Sequence, residues 1–157
     1  MKDIYAVLDD LSIVYTRYDH PAVFTVKEAE SFHKTLPGGQ SKNLFLRGDN
    51  KVRYLVVMDA FKRLDIKALS ATLGTKLHFA SPEELQARLG LTPGSVSPFG
   101  LINDTEKGIR VILDLHLMTS EKMHFHPNIN TATLEISTND FMKFLAHQGN
   151  PLQILDL

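Results

Sequence analysis

The stretch SKNLFLRGDNKVRYLVVM, residues 41–58, constrains the fold most. Two apolar runs flank the polar triplet Gly48-Asp49-Asn50. Apolar runs of strand length on either side of turn-forming residues read as a β-hairpin. A hairpin is only marginally stable alone, so further strands or helices must cover its apolar side. Its entrance is unusual, because Lys42 and Asn43 stand together immediately before Leu44-Phe45-Leu46. An ammonium and an amide at the mouth of an apolar strand point either to a solvated strand end or to a binding site at the rim of a sheet.

The rest of the chain supplies the covering elements. Ile4, Val7, Leu8 and Leu11 recur at helical spacing over 2–11, and 13–20 is β-branched and aromatic, hence a strand. Residues 25–33 read as a helix with Thr25 as N-cap and Glu28 completing a capping box, and 36–40 as a flexible loop. Asp65 caps a helix over 66–73 that Gly74 ends, and 76–80 is a short strand. Ser81 and Pro82 open a helix that stops at Gly90. Strands follow at 109–117 and 131–137, then a helix over 137–149 between Ser137 and Gly149. Six or seven strands interleaved with four or five helices, without a linker or repeat, predict a single α/β or α+β domain over 1–157.

Composition removes several chemistries. There is no cysteine, which excludes disulfides, thiolate nucleophiles and Cys-bound zinc. No apolar run reaches the length of about 18 residues that a membrane-spanning helix needs, and the acidic, amphipathic start lacks the pattern of a signal peptide. A cytoplasmic protein with no membrane contact is the expectation. Net charge is −1, which is not the balance of a general nucleic-acid binder. The charge is uneven, however: 42–76 carries eight Lys/Arg against three Asp. Nucleophile-elbow, P-loop and H-E-x-x-H motifs are absent. His124 and His126 would share a face on a strand, with His116 as a third imidazole, but no carboxylate sits at ligand spacing, so no metal is expected.

Residues 92–104, TPGSVSPFGLIND, offer a different device. Gly94 lets the backbone approach a ligand closely, and Pro98 fixes the loop shape. Backbone N–H groups aimed at one point from such a loop are what stabilises an oxyanion in acyl transfer.

KNLFLR with YLVVM, then LTPGSVSPFGLIND, then HFHPNINTATLEIS with DFMKFL, occur in an order that resembles the YbaK-like family of aminoacyl-tRNA deacylases. That family includes the insertion editing domain of bacterial prolyl-tRNA synthetase, and the chain is most similar to its free-standing alanyl-tRNA-Pro deacylase branch. The resemblance runs from DHPAVFTVKEAE to the last helix. It implies one α+β domain around a curved mixed sheet, and hydrolysis of the ester joining a wrong amino acid, most readily alanine, to tRNA-Pro. It implies the tRNA acceptor end as partner, transient association with prolyl-tRNA synthetase, and no cofactor. Carried over residue by residue, it makes Lys42 the strand-entry lysine and Asn43 its neighbour in the pocket. Gly94, Ser95, Val96 and Ser97 become the loop that faces the ester carbonyl, shaped by Pro98. His126, with His124 close in register, matches the pocket histidine. Beyond what the resemblance carries over, Phe45 and the Val23–Val26 stretch are candidate apolar walls for a pocket that selects by size. A non-catalytic acceptor-end module and a small-molecule binding domain are the competing readings.

Overall fold

The computed structural model describes residues 3–22 and 39–157. The elements are α1 (Ile4–Asp10), β1 (Tyr15–Asp19), β2 (Gly39–Gly48), β3 (Arg53–Asp59), α2 (Ile66–Leu73), β4 (Leu77–Phe79), α3 (Pro82–Leu89), β5 (Arg110–Asp114), β6 (Lys122–Phe125), β7 (Ala132–Ser137), α4 (Thr138–Gln148) and β8 (Leu152–Leu155). Short 3₁₀ helices occupy Pro93–Ser95, Pro98–Asn103 and Leu115–Thr119. The caps read from sequence hold: Asp65, Ser81 and Ser137 accept from Ala68, Glu84 and Asp140 N–H, and Gly74, Gly90 and Gly149 end their helices in the left-handed region.

The strands form one mixed sheet in the order β1-β7-β6-β2-β3-β5-β8, with β4 on β2. The hairpin is present, running antiparallel from Ser41↔Asp59 to Arg47↔Arg53. At its turn it is Lys51, not a glycine, that takes the positive φ, 66°. Gly48 is needed for space instead: a Cβ there would stand 2.3 Å from Asn50 Oδ1 and 2.9 Å from Thr75 Cγ2.

Residues 54–58 of β3 are all buried, so both faces of the hairpin are covered. Strand alternation sorts them into two cores. Leu55 and Val57 join Phe45, Val111 and Leu113 in the larger core, closed by Leu85, Leu89, Phe99, Phe141 and Phe144. Tyr54, Val56 and Met58 join Leu46 and Ile112 in a smaller one under Leu69 of α2.

Three expectations are corrected. The strand placed at 109–117 stops at Asp114, because the Asp114 side chain caps a 3₁₀ turn by accepting from His116 N–H. The loop placed at 36–40 gives way to strand at Gly39. The closing helix is followed by β8, whose Leu-Gln-Ile-Leu run pairs parallel with β5. The helix placed at 25–33, together with Val23 and Val26, lies outside the described residues.

Candidate active site

The sheet explains why Lys42 and Asn43 stand where they do. On one edge β2 is paired with β3 along its length. On the other edge it pairs with β6 only at Gly39 and Gln40, and with β4 only from Leu46 to Gly48. Between these ends, around residues 41–44, the edge has no strand partner among the described residues. The parting of the parallel strands β2 and β6 opens a window in the sheet, and the polar pair sits in it.

Residues 92–104 lie across this window, held from both banks. Asn43 Nδ2 donates to the Val96 carbonyl at 3.3 Å, and Asn128 Nδ2 donates to the Phe99 carbonyl at 3.4 Å. Phe99 anchors the segment below, edge-on to Phe125 at 5.6 Å and to Phe144 at 5.2 Å. Pro98 starts the 3₁₀ helix Pro98–Asn103 and is itself buried. The sequence-predicted donors divide here. Ser95 N–H is spent on the Thr92 carbonyl at 2.9 Å, and its hydroxyl also turns back onto Thr92. The Gly94 and Ser97 N–H groups have no hydrogen-bond partner among the described residues. Ser97 Oγ accepts from Phe99 N–H, a structural cap.

Asn43 Oδ1 and Asn128 Oδ1 are buried acceptors without a hydrogen-bond partner among the described residues. An unsatisfied buried acceptor is costly, and two beside one window suit a ligand that brings donors. Lys42 is on the opposite side of β2 from Asn43, since successive residues of a strand alternate and Asn43 shares its face with Phe45. The structure therefore brings Asn43 and Val96 together but sets Lys42 behind them, towards the β3 exit. Burial pushes the Lys42 ammonium below its ordinary pKa, with Asp59 opposing and Arg63 adding to that fall. No hydrogen bond or ion pair engages it among the described residues. Phe45 is 5% exposed and packs into the larger core.

The two histidines separate cleanly. The side chain of His124 is fully buried and meets Glu135 Oε2 at 2.9 Å, with Lys122 on the other oxygen at 3.2 Å. Glu135 is held below its usual range by these two partners although burial, the largest influence, pushes it up. His126 falls just past the end of β6. A carbonyl only accepts, so its 3.0 Å contact with Ala132 O puts the proton on Nδ1. Burial pushes its pKa down, the Ala132 bond opposes, and His20, whose ring is 6.0 Å away, adds to the fall. The neutral ring leaves Nε2 as an acceptor. His116 is apart from both, exposed, and 3.3 Å from Asp59. Among the described residues no three His, Asp or Glu side chains form a metal-binding group.

Sequence reasoning missed Asn128 and Asp114. Asn128 has a φ of 65°, a conformation asparagine tolerates, in a stretch already rich in turn formers. Asp114 is fully buried and receives Asp59 N–H, His116 N–H and Lys62 Nζ at 3.1–3.3 Å, which pins the β3 exit beside Lys42. Its only sequence signal was an acid inside an apolar run.

The aminoacyl-tRNA editing domain model matches residues 20–144. A prolyl-tRNA editing protein, ProX, from Acetoanaerobium sticklandii is 39% identical over 98% of this chain and 95% of its own length. A prolyl-tRNA synthetase associated domain-containing protein 1 from Danio rerio is 34% identical over 92% of this chain and 80% of that one. The crystal structure of a candidate trans-editing enzyme for prolyl-tRNA synthetase superposes with a TM-score of 0.75 at 22% identity, over 99% of this chain and 94% of that one. The chain belongs to the aminoacyl-tRNA editing domain family. It is an aminoacyl-tRNA deacylase, a hydrolase of the ester that joins an amino acid to tRNA.

Proposed function

We propose that this chain, as one editing domain over 1–157, works in trans to remove alanine from mischarged tRNA-Pro. The name of its Acetoanaerobium relative supports the tRNA, and the window with its unpaired donors and acceptors supports the chemistry. Asn43 Oδ1, unpaired and buried, takes the substrate's α-ammonium or a ribose hydroxyl. Lys42 takes a phosphate at the acceptor end, where an ammonium acts as a point charge. The Gly94 and Ser97 N–H groups hold the carbonyl oxygen as it gains negative charge. Water adds to the carbonyl carbon, the ester C–O bond breaks, and the ribose oxygen leaves with the proton that water gave up. A second ribose hydroxyl or the positioned water carries that proton. His126 Nε2 serves as a polar wall that accepts a hydrogen bond.

Selection is by size. Rejecting the larger prolyl group by overpacking a rigid cavity avoids the limit set by favourable contacts, where one methylene is worth only about 1–3 kcal/mol. The working place is the cytoplasm, in transient association with prolyl-tRNA synthetase.

The test is the hydrolysis rate of alanyl and prolyl esters on the same tRNA-Pro. A strong preference for alanyl is expected. A ratio near one sinks the specificity, and binding without turnover of either ester leaves only an RNA-binding module.

A further inference from the structure

Arg47 and Arg53 face each other directly across β2 and β3. Like charges in such a pair repel and destabilise the sheet unless something between them is negative. The Arg53 guanidinium is already committed, to Glu84 Oε1 at 2.5 Å and to the Lys51 carbonyl at 2.6 Å, although its buried Nε has no partner among the described residues. Arg47 has no ion pair among the described residues. Around it lies an open depression of about 460 Å³ lined by Arg47, Gly48, Asp49, Lys51, Arg53 and Arg88. Its one acid, Asp49, is drawn aside to His78 Nε2 at 2.9 Å. Arg47, Lys51 and Arg88 are exposed and have no ion pair among the described residues, so three such cations share the rim.

The position matters as much as the charge. Arg47 is four residues along β2 from Asn43 and on the same face, about 13 Å at the usual strand rise. Apart from 42–76 and Arg88, the chain holds eight Lys/Arg against fifteen Asp/Glu, so the rest of the surface repels a polyanion. An RNA whose 3′ end enters the window is driven to leave over the one region that attracts it.

We infer that Arg47, Lys51 and Arg88, backed by Arg53, form a cradle for backbone phosphates of the acceptor strand upstream of the esterified nucleotide. This rests on the deacylase reading above. The cradle supplies affinity and orientation and takes no part in bond breaking.

The experiment compares the wild-type protein with Arg47→Glu/Arg88→Glu and with Arg47→Lys/Arg88→Lys, all checked for a native melt. Both side chains are exposed, so the fold survives. Binding of uncharged tRNA is measured against salt. Hydrolysis is measured on aminoacyl-tRNA and on the same amino acid esterified to a short CCA oligonucleotide. The Glu variant should bind tRNA at least tenfold more weakly, with a log K against log[salt] slope shallower by about 0.9 for each lost duplex contact, or about 0.7 on single strand. The Lys variant should keep most of the slope. The rate on the CCA ester should be unchanged. An unchanged tRNA affinity and slope in the Glu variant overturns the cradle, as does an equal loss on both substrates. Wild-type failure to hydrolyse either ester refutes the deacylase reading while the binding measurement still decides the cradle.

Discussion

Gly100 offers the sharpest test of whether the segment across the window governs the chemistry. A Cβ at this position would lie 2.7 Å from Leu91 Cδ1 and 3.2 Å from both Leu91 Cγ and Leu89 Cβ. No left-handed backbone is involved, so the demand for glycine is one of space alone. Leu89 is 0% exposed and Leu91 1%, and Leu89 is the last residue of α3, so neither yields without moving its neighbours. Overpacking a filled core typically costs about 1–3 kcal/mol. For a chain of this size each kcal/mol lowers Tm by about 2–4 °C, so Gly100→Ala should melt about 2–12 °C lower. The relief is for the 3₁₀ helix Pro98–Asn103 to ride up from α3. That would stretch the Asn43–Val96 bond, already 3.3 Å, and tilt the Gly94 and Ser97 donors. A misplacement approaching 1 Å can cost about 10² in rate, so a smaller shift should cost about tenfold or somewhat more. Thermal melts and single-turnover deacylation read the two effects. Adding Leu91→Ala should remove the tightest contacts, leaving only the 3.2 Å approach to Leu89 Cβ, and return most of the rate. Wild-type turnover in a destabilised Gly100→Ala protein would show that the position of this segment does not set the donors, and the oxyanion assignment would fall.

Lys42→Ala should lower deacylation strongly without lowering Tm, because the half-buried ammonium has no hydrogen bond or ion pair among the described residues to lose; an unchanged single-turnover rate rules out its role. Gly94→Val keeps the backbone N–H but puts a branched side chain where the ester must approach it, and should lose about 10²–10³ in rate, comparable to the loss of one oxyanion donor, with little change in melt; wild-type turnover defeats it. Asp114→Ala leaves the Asp59 and His116 N–H groups without an acceptor, and at about 1–3 kcal/mol for each orphaned group the loss should be about 2–6 kcal/mol in a urea titration. His126 is held neutral by burial, so the unfolded chain binds more protons and stability rises with pH. Its contribution is fully present above the ordinary histidine pKa of about 6.5 and is lost as pH falls below it towards the lowered folded value. His126→Gln should flatten that part of the stability profile between pH 7.5 and 5, and an unchanged profile refutes the buried neutral ring.

The local signals in the sequence were strong where a single residue decides the geometry. Ser81, Asp65 and Ser137 each satisfy their own helix N–H groups, so the cap is legible without knowing what the helix packs on. Strand ends were less legible, because they depend on competition. Asp114 ends β5 because its carboxylate, which also receives Asp59 N–H and Lys62 Nζ, accepts from His116 N–H and turns the following residues into a 3₁₀ helix. β8 escaped because a four-residue strand after a glycine stop carries little periodicity, and its place is set by the open edge of β5.

The site itself shows what pattern alone does not carry. Lys42 and Asn43 are neighbours in sequence, which suggests one shared pocket wall. On a strand, neighbours take opposite faces, and the pair is useful for that reason. Asn43 reaches inward to hold the 92–104 segment and to offer a buried acceptor, while Lys42 lies on the side of Asp59 and Arg63. A substrate with its ester at the window meets both only if its phosphate passes around the unpaired edge of β2. The parting of β2 from β6 after Gln40 makes that edge accessible. It is a property of the pairing between strands some eighty residues apart in the chain, which no local spacing records. Among the described residues the polar pair at the mouth of an apolar strand is therefore neither a solvated end nor a simple pocket wall, but the two sides of a strand edge without a strand partner, an arrangement that suits the RNA contacts proposed above.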